Sequence, residues 1–376
     1  MDDMASQDIT QEDTARLAEL RREIDTIDID MLELLNRRAA LAQAVGKLKN
    51  GVVYRAEREA QVLRRVAEHN RGPMGREAVV RVWREIMSAC LALERPLTVA
   101  YLGPQGSFSE VAALRQFGHA VQLQPCASID EVFREVEAGS ADYGIVPVEN
   151  STEGAVNRTL DLLQETPLHL SGEVALRIHH SLLRKVEGFE GVRVIYSHAQ
   201  SLAQCRNWLA IHLPGVSQVA VASNAEAARL AAEDSSALAV AGETAAQHYH
   251  LYRLHDRIED EPDNTTRFVV IATRDVAAPS GNDKTSLLLS RPNEPGAIVS
   301  LLQPFSTHGI SLTKLESRPA RSLLGGFSRG TPIWEYVFFV DIEGHREDAA
   351  VKAALQEVSA QASLMKVLGS YPGSVC

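Results

Sequence analysis

Residues 20–49 read LRREIDTIDIDMLELLNRRAALAQAVGKLK, and the spacing of their apolar side chains decides the fold of the N-terminal segment. From Leu17 the apolar positions fall at Leu20, Ile24, Ile27, Met31, Leu34, Leu41, Val45 and Leu48. A 3-4 seam sustained over more than four heptads predicts one helix of roughly 35 residues, packed along its length on other helices. Nine of the ten seam positions are apolar and the tenth is Arg38. An unpaired guanidinium inside a seam is costly. Three arrangements relieve it: a buried Arg–Glu pair, a seam broken so that Arg38 meets solvent, or a carboxylate ligand held within the bundle. Lys49 lies 11 residues on, so it shares the face of Arg38, ~16 Å along the axis. Arg21 precedes Lys49 by 28 residues, roughly 42 Å on a straight helix. It cannot serve that pocket from the same chain. If it serves, it comes from a second subunit laid antiparallel.

Outward from this helix the chain divides into three textures. Residues 12–95 contain one proline, Pro73, and two further helical stretches, about 55–70 and 75–94, so this segment is all-α. Residues 97–273 alternate short apolar strands such as LTVAYLG, YGIVPVE and RFVVIA with helices. That pattern predicts α/β structure with mainly parallel sheets, and its length predicts two lobes with a cleft between them. RDVAAPSGND reads as a linker. Residues 283–376 then give strand, helix, strand, strand, helix, strand, the ferredoxin-like order.

The chain has 376 residues, 45% hydrophobic and 23% charged, enough for several cores. Its formal net charge of −11 argues against a nucleic-acid binder, and an anionic substrate would need a local cation cluster. Four cysteines, Cys90, Cys126, Cys205 and Cys376, are scattered without CxxC spacing, so neither a disulfide framework nor a metal site is expected. The acidic N-terminus lacks an apolar signal core, and no apolar run is long enough to span a bilayer. A cytoplasmic protein is expected.

The helical segment, with YRAEREAQVL after the long helix, resembles the all-helical chorismate mutases, intertwined dimers that rearrange chorismate to prephenate. The resemblance implies that Arg21 (from the partner chain), Arg38, Lys49 and Arg58 grip two carboxylates and the ether oxygen. Glu59 would bind the ring hydroxyl, and Glu94 would face the ether oxygen, acting when protonated. Arg55 and Cys90 depart from residues found in some relatives. The rearrangement is unimolecular and needs no cofactor, only a folded dianion and donors aimed at the ether oxygen.

In the α/β segment four stretches set polar residues beside Gly or Pro at strand ends: GPQGSFS (103–109), VPVENSTEG (146–154), YSHAQSLAQC (196–205) and NTTRF (264–268). Ligands sit at such strand ends in open α/β sheets. In this order they resemble prephenate dehydratase, whose two lobes are like a periplasmic-type binding protein. Thr266 would donate to the leaving hydroxyl and Arg267 would hold a substrate carboxylate. Ser107, Glu149, Asn150, Ser197, Gln204 and Phe268 would support the substrate. A neutral hydroxyl suits a dianion that a carboxylate would repel. His179, His180 and His198 read more readily as hydrogen-bonding core residues than as acids. The rival chemistry, oxidation by NAD, would need a GxGxxG turn after the first strand, and GPQGSF lacks it.

The last segment resembles an ACT domain. NEPGAIV (293–299) and ESRP (316–319) match phenylalanine-binding motifs. This implies a phenylalanine site at Asn293, Gly296, Ala297, Ile298, Glu316, Ser317 and Arg318. The 323–333 loop is longer than in relatives. The whole chain thus resembles the bifunctional chorismate mutase/prephenate dehydratases: a homodimer or higher oligomer without cofactor, restrained by phenylalanine.

Overall fold

The computed structural model describes residues 11–48, 54–319 and 336–374. Lys49 and the 323–333 loop lie outside the described residues.

The seam forms one helix, α1 (Gln11–Leu48), 38 residues long. Glu12 and Asp13 in its first turn and Lys47 in its last match the helix dipole. Helices α2 (Ala56–His69) and α3 (Arg76–Ala92) pack on each other around Leu63, Ala67 and Val80. Full burial of a leucine such as Leu63 contributes about 2 kcal/mol. α1 lies against α3, yet none of its residues is buried; Leu34 is 64% and Leu41 61% exposed. The apolar seam therefore has no cover within this chain's described residues.

The first lobe of the next domain comprises β1 (Thr98–Leu102), α4 (Phe108–Phe117), β2 (Gln122–Cys126), α5 (Ile129–Glu137), β3 (Tyr143–Asn150), β4 (Gly154–Ala155), α6 (Asn157–Glu165) and β5 (His169–Arg177). The chain then crosses to β6 (Ser181–Arg184), β7 (Val194–His198), α7 (Ala199–Gln204), α8 (Arg206–His212), β8 (Ser217–Val221), α9 (Asn224–Glu233), β9 (Ala237–Ala241), α10 (Glu243–His248) and β10 (Tyr252–His255). It returns as β11 (Thr265–Ala272), which inserts between β3 and β5. The sheet orders are β2-β1-β3-β11-β5 and β10-β6-β9-β7-β8.

The expectation of mainly parallel sheets is corrected here. β1, β2 and β3 run parallel, as do β7, β8 and β9, but β11 is antiparallel to both its neighbours and β6 to both of its own. The cause is the double crossing, because a strand that enters a sheet from the other lobe arrives from the opposite end. Three helices of this domain open with Ser-x-x-Glu: Ser107, Ser128 and Ser223 each accept from the backbone N–H three residues on, capping α4, α5 and α9.

The third domain comprises β12 (Asp283–Ser290), α11 (Ala297–Thr307), β13 (Leu312–Pro319), β14 (Tyr336–Glu343), α12 (Ala349–Gln361) and β15 (Leu364–Pro372), with sheet order β13-β14-β12-β15. Strand periodicity divides its apolar residues between two cores. Leu287, Leu289 and Val340 face α11 and α12, whereas Leu288, Phe339 and Tyr371 join the core of the first lobe. β15 runs against β5 so closely that a Cβ on Gly369 would stand 2.1 Å from the Leu170 carbonyl oxygen. Among the described residues, no helix is long and apolar enough to cross a membrane, and no cluster of His, Cys, Asp and Glu could hold a metal ion.

Candidate active sites

The helical domain holds a cavity of about 330 Å³ where α1 meets α2 and α3. Arg38, Arg58, Glu59, Cys90 and Glu94 line it, beside Leu41, Val45, Val62 and Met87. Sequence alone left three arrangements open for Arg38. It is half-buried and faces this cavity, with Nη1 3.0 Å from Cys90 Sγ rather than on a carboxylate. Gly46 lets α1 approach Glu94: a Cβ there would lie 2.4 Å from Glu94 Oε2. Glu59 Oε1 accepts from Arg84 Nε at 3.4 Å. Burial raises the pKa of Glu59 to about 7, and Arg84 opposes that rise. Arg55 also lines the cavity, with an exposed side chain. Arg21 does not line it; it sits about 26 Å from Arg38 along α1.

The second site lies between the two lobes. Asn150 Nδ2, at the end of β3, donates to Thr266 Oγ1 and to Asn264 Oδ1, each at 2.8 Å. Asn264 Nδ2 in turn donates to Gln204 Oε1 at 2.9 Å, which ties α7 of the second lobe to the first. His180 Nε2 lies 3.0 Å from the same Gln204 oxygen. That oxygen can only accept, so His180 carries its proton on Nε2. Burial lowers its pKa, and the Gln204 contact offsets this only in part. His180 is thus a neutral donor at neutral pH, in agreement with the hydrogen-bonding reading. Thr266 Oγ1 already accepts from Asn150, and among the described contacts it donates to no protein group. Its proton is free. Asn264, 3% exposed, was not singled out from the sequence. Its position two residues before Thr266, on the same strand face, was the available signal.

The other expected residues fall elsewhere. Ser197 is fully buried, its hydroxyl 2.7 Å from the Val240 carbonyl and 2.9 Å from Asn224 Oδ1. Ser107 caps α4 and donates to the Leu102 carbonyl at 3.0 Å. Phe268 is 2% exposed in the hydrophobic core, so its expected substrate contact is corrected to packing. His179 pairs with Glu259 at 2.7 Å. His198 accepts from the Gln200 N–H at the start of α7.

Glu149 and Arg267 require the same correction for a common reason. Successive side chains of a strand point to opposite faces. Asn150 and Thr266 face the cleft, so Glu149 and Arg267 face the third domain. Glu149 pairs with Lys314 of β13 at 2.8 Å. Arg267 donates to Glu173 at 2.8 Å, to Asp341 of β14 at 2.6 Å and to the Tyr371 hydroxyl at 3.1 Å. Burial works against its charge, but Tyr371, Asp341 and Glu173 outweigh it and raise its pKa. The carboxylates that Arg267 holds belong to the protein.

In the third domain Ser290 and Arg318 both pair with Val337 of β14, which brings the turn at 291–296 and the ESRP stretch to one end of the sheet. Gly296 takes a positive φ of 85° at the start of α11, which a glycine adopts without strain. Arg318, expected at a phenylalanine site, reaches out of its own domain to Asn157 and Asp161 of α6.

A helical pocket walled by cations, joined to a two-lobed domain with a neutral polar cleft, defines an enzyme with two separate centres. Family profiles agree, with chorismate mutase type II matching residues 20–95, prephenate dehydratase 99–276 and the ACT domain 285–360. A bifunctional chorismate mutase/prephenate dehydratase of Neisseria gonorrhoeae is 55% identical over 94% of this chain and 96% of its own. Among solved structures, a prephenate dehydratase from Arthrobacter aurescens in complex with L-Phe aligns at TM-score 0.64 and 33% identity, over 73% of this chain and 90% of its own. A quorum-quenching acylase aligns at TM-score 0.65 and 31% identity, over 74% of this chain and 98% of its own. The chain belongs to the bifunctional chorismate mutase/prephenate dehydratase family, whose two activities are an isomerase and a lyase.

Proposed function

We propose that the helical pocket rearranges chorismate to prephenate, that the cleft converts prephenate to phenylpyruvate, and that phenylalanine restrains the second step through the third domain. In the first reaction Arg38, Arg58, Lys49 and the partner's Arg21 hold the dianion in a reactive chair. Glu59 takes the ring hydroxyl, and Glu94 faces the ether oxygen. This assignment needs two chains, and the uncovered seam of α1 supports a dimer. In the second reaction the ring C–O bond breaks as the ring carboxylate leaves as CO2. The electron pair it releases completes the aromatic ring, and the departing hydroxide takes a proton to become water. Phenylalanine would bind at Asn293, Gly296, Ala297, Ile298, Glu316 and Ser317, with Arg318 linking that site to α6.

The observation that carries the dehydratase reading is the Thr266 hydroxyl, fixed as an acceptor by Asn150 with its own proton free. The side chains bonded to it and to one another, Asn150, Asn264, Gln204 and His180, are neutral. The acylase neighbour makes this necessary, since one scaffold can host different reactions. The test is a single assay in which chorismate is added to the full chain without nucleotide and phenylpyruvate is measured with and without phenylalanine. Phenylpyruvate suppressed by phenylalanine is expected. Thr266→Val should lower prephenate turnover roughly 100-fold or more and spare chorismate turnover. Product from prephenate but not chorismate would reduce the protein to a dehydratase. Product from neither would leave a non-catalytic sensor.

A further inference from the structure

Thr266 and Arg267 are adjacent on β11, and Asn150 and Glu149 are adjacent on β3. The ladder sets Thr266 against Asn150 and Arg267 against Glu149. One cross-strand pair meets the cleft and the next meets the third domain. Immediately beyond Arg267 the β11–β3 register shifts, so the ladder gives weaker control over how Thr266 sits relative to Asn150. The missing anchor is on the far face. Arg267 is clasped by Glu173 of β5 and by Asp341 of β14, and Asp341 is itself held by the Ser286 hydroxyl. Lys284 closes the chain on Glu173 at 2.7 Å.

We propose that Arg267 is a positioning residue for dehydration: clasped by Asp341 of the third domain, it holds Thr266 in register with Asn150 and binds no substrate. The inference rests on the dehydratase reading above, and it makes the cleft geometry depend on the docking of the third domain. A displaced β14 would release Arg267 and shift the one hydroxyl that meets the leaving group. Buried paired charges suit this role, because a guanidinium held by two fixed carboxylates has one favourable position.

The test compares Asp341→Asn and Arg267→Lys in the full chain. Asp341→Asn keeps the side-chain shape and removes the charge, at a position remote from the cleft. It should lower kcat on prephenate about tenfold or more. KM should stay within about threefold, because no substrate contact is lost. Amide exchange of the peptide covering residues 263–272 should accelerate, while parental exchange across α11 and α12 reports that the third domain is folded. Parental kcat and parental exchange in Asp341→Asn would overturn the proposal. So would an Arg267→Lys variant that raises KM alone, since that returns Arg267 to the substrate. If the parent chain does not turn over prephenate, the dehydratase reading has failed, and exchange alone judges the clasp: faster supports it, unchanged overturns it.

Discussion

Glu59 shows how far one side chain's environment can depart from what its neighbours in sequence suggest. It follows Arg58 in a highly charged helix, yet it faces the pocket, where burial lifts its pKa from 4.5 to about 7. Between those values the folded chain binds more protons at this group than the unfolded chain does. Stability therefore falls as pH rises through that window, and the loss is complete above it. Glu59→Gln carries no charge at any pH and escapes the loss. Its stability relative to the parent should rise by about 2 kcal/mol between roughly pH 4.5 and pH 8, less than the full shift because the pocket is open to water. Thermal unfolding at the two pH values measures this. An equal Tm difference at both would mean that Glu59 titrates as an ordinary surface carboxylate.

At the scale of the element, α1 is out of balance with its surroundings. Ile24 and Ile27 are each 56% exposed, Met31 50% and Leu34 64%, all on one seam. A helix of this length with an uncovered apolar stripe wants a partner. The exposed seam and the remote Arg21 point to the same arrangement, a second chain laid along α1. Leu34→Glu places a charge in the stripe without touching the pocket. The parent should sediment as a dimer or larger. The variant should sediment as a smaller species that has lost chorismate turnover and kept prephenate turnover. A parent that is monomeric and still rearranges chorismate would refute the shared site.

The whole molecule is joined by shared cores and a few close approaches. Tyr54 and Ala56 of the helical domain and Leu288, Phe339 and Tyr371 of the third all enter the core of the first lobe. Gly369 is the tightest of the described glycines. An alanine there would overlap the Leu170 carbonyl, so β15 must leave β5 or the first lobe must distort. Gly369→Ala should cost about 2 kcal/mol or more. It should also weaken phenylalanine inhibition of prephenate turnover while chorismate turnover persists. Full inhibition at a parental Tm would show that this contact neither carries stability nor transmits the signal.

Period and composition were sufficient for the long helix, for β1, β3, β7, β8, β9 and β11, and for the order of the three domains, because apolar spacing is a local property of the chain; β2, β5, β6 and β10 carry no such apolar run and were missed. The seam of α1, the strand runs and the βαββαβ order were all legible. So were the polar strand ends, and Asn150, Gln204 and Thr266 do meet in one network. The sequence alone did not reveal which face each neighbouring side chain takes. Strand direction depends on where the chain re-enters a sheet, and the double crossing between lobes is a tertiary event. Alternation puts Thr266 and Arg267 on opposite faces, and the packing of the lobes and the third domain decides what each face meets: Arg267 and Glu149 meet the third domain, Phe268 enters the core and Asn264 joins the network. Burial likewise sets the titration of Glu59 and His180. Local spacing determined what forms, and only the tertiary packing decided what each polar group faces.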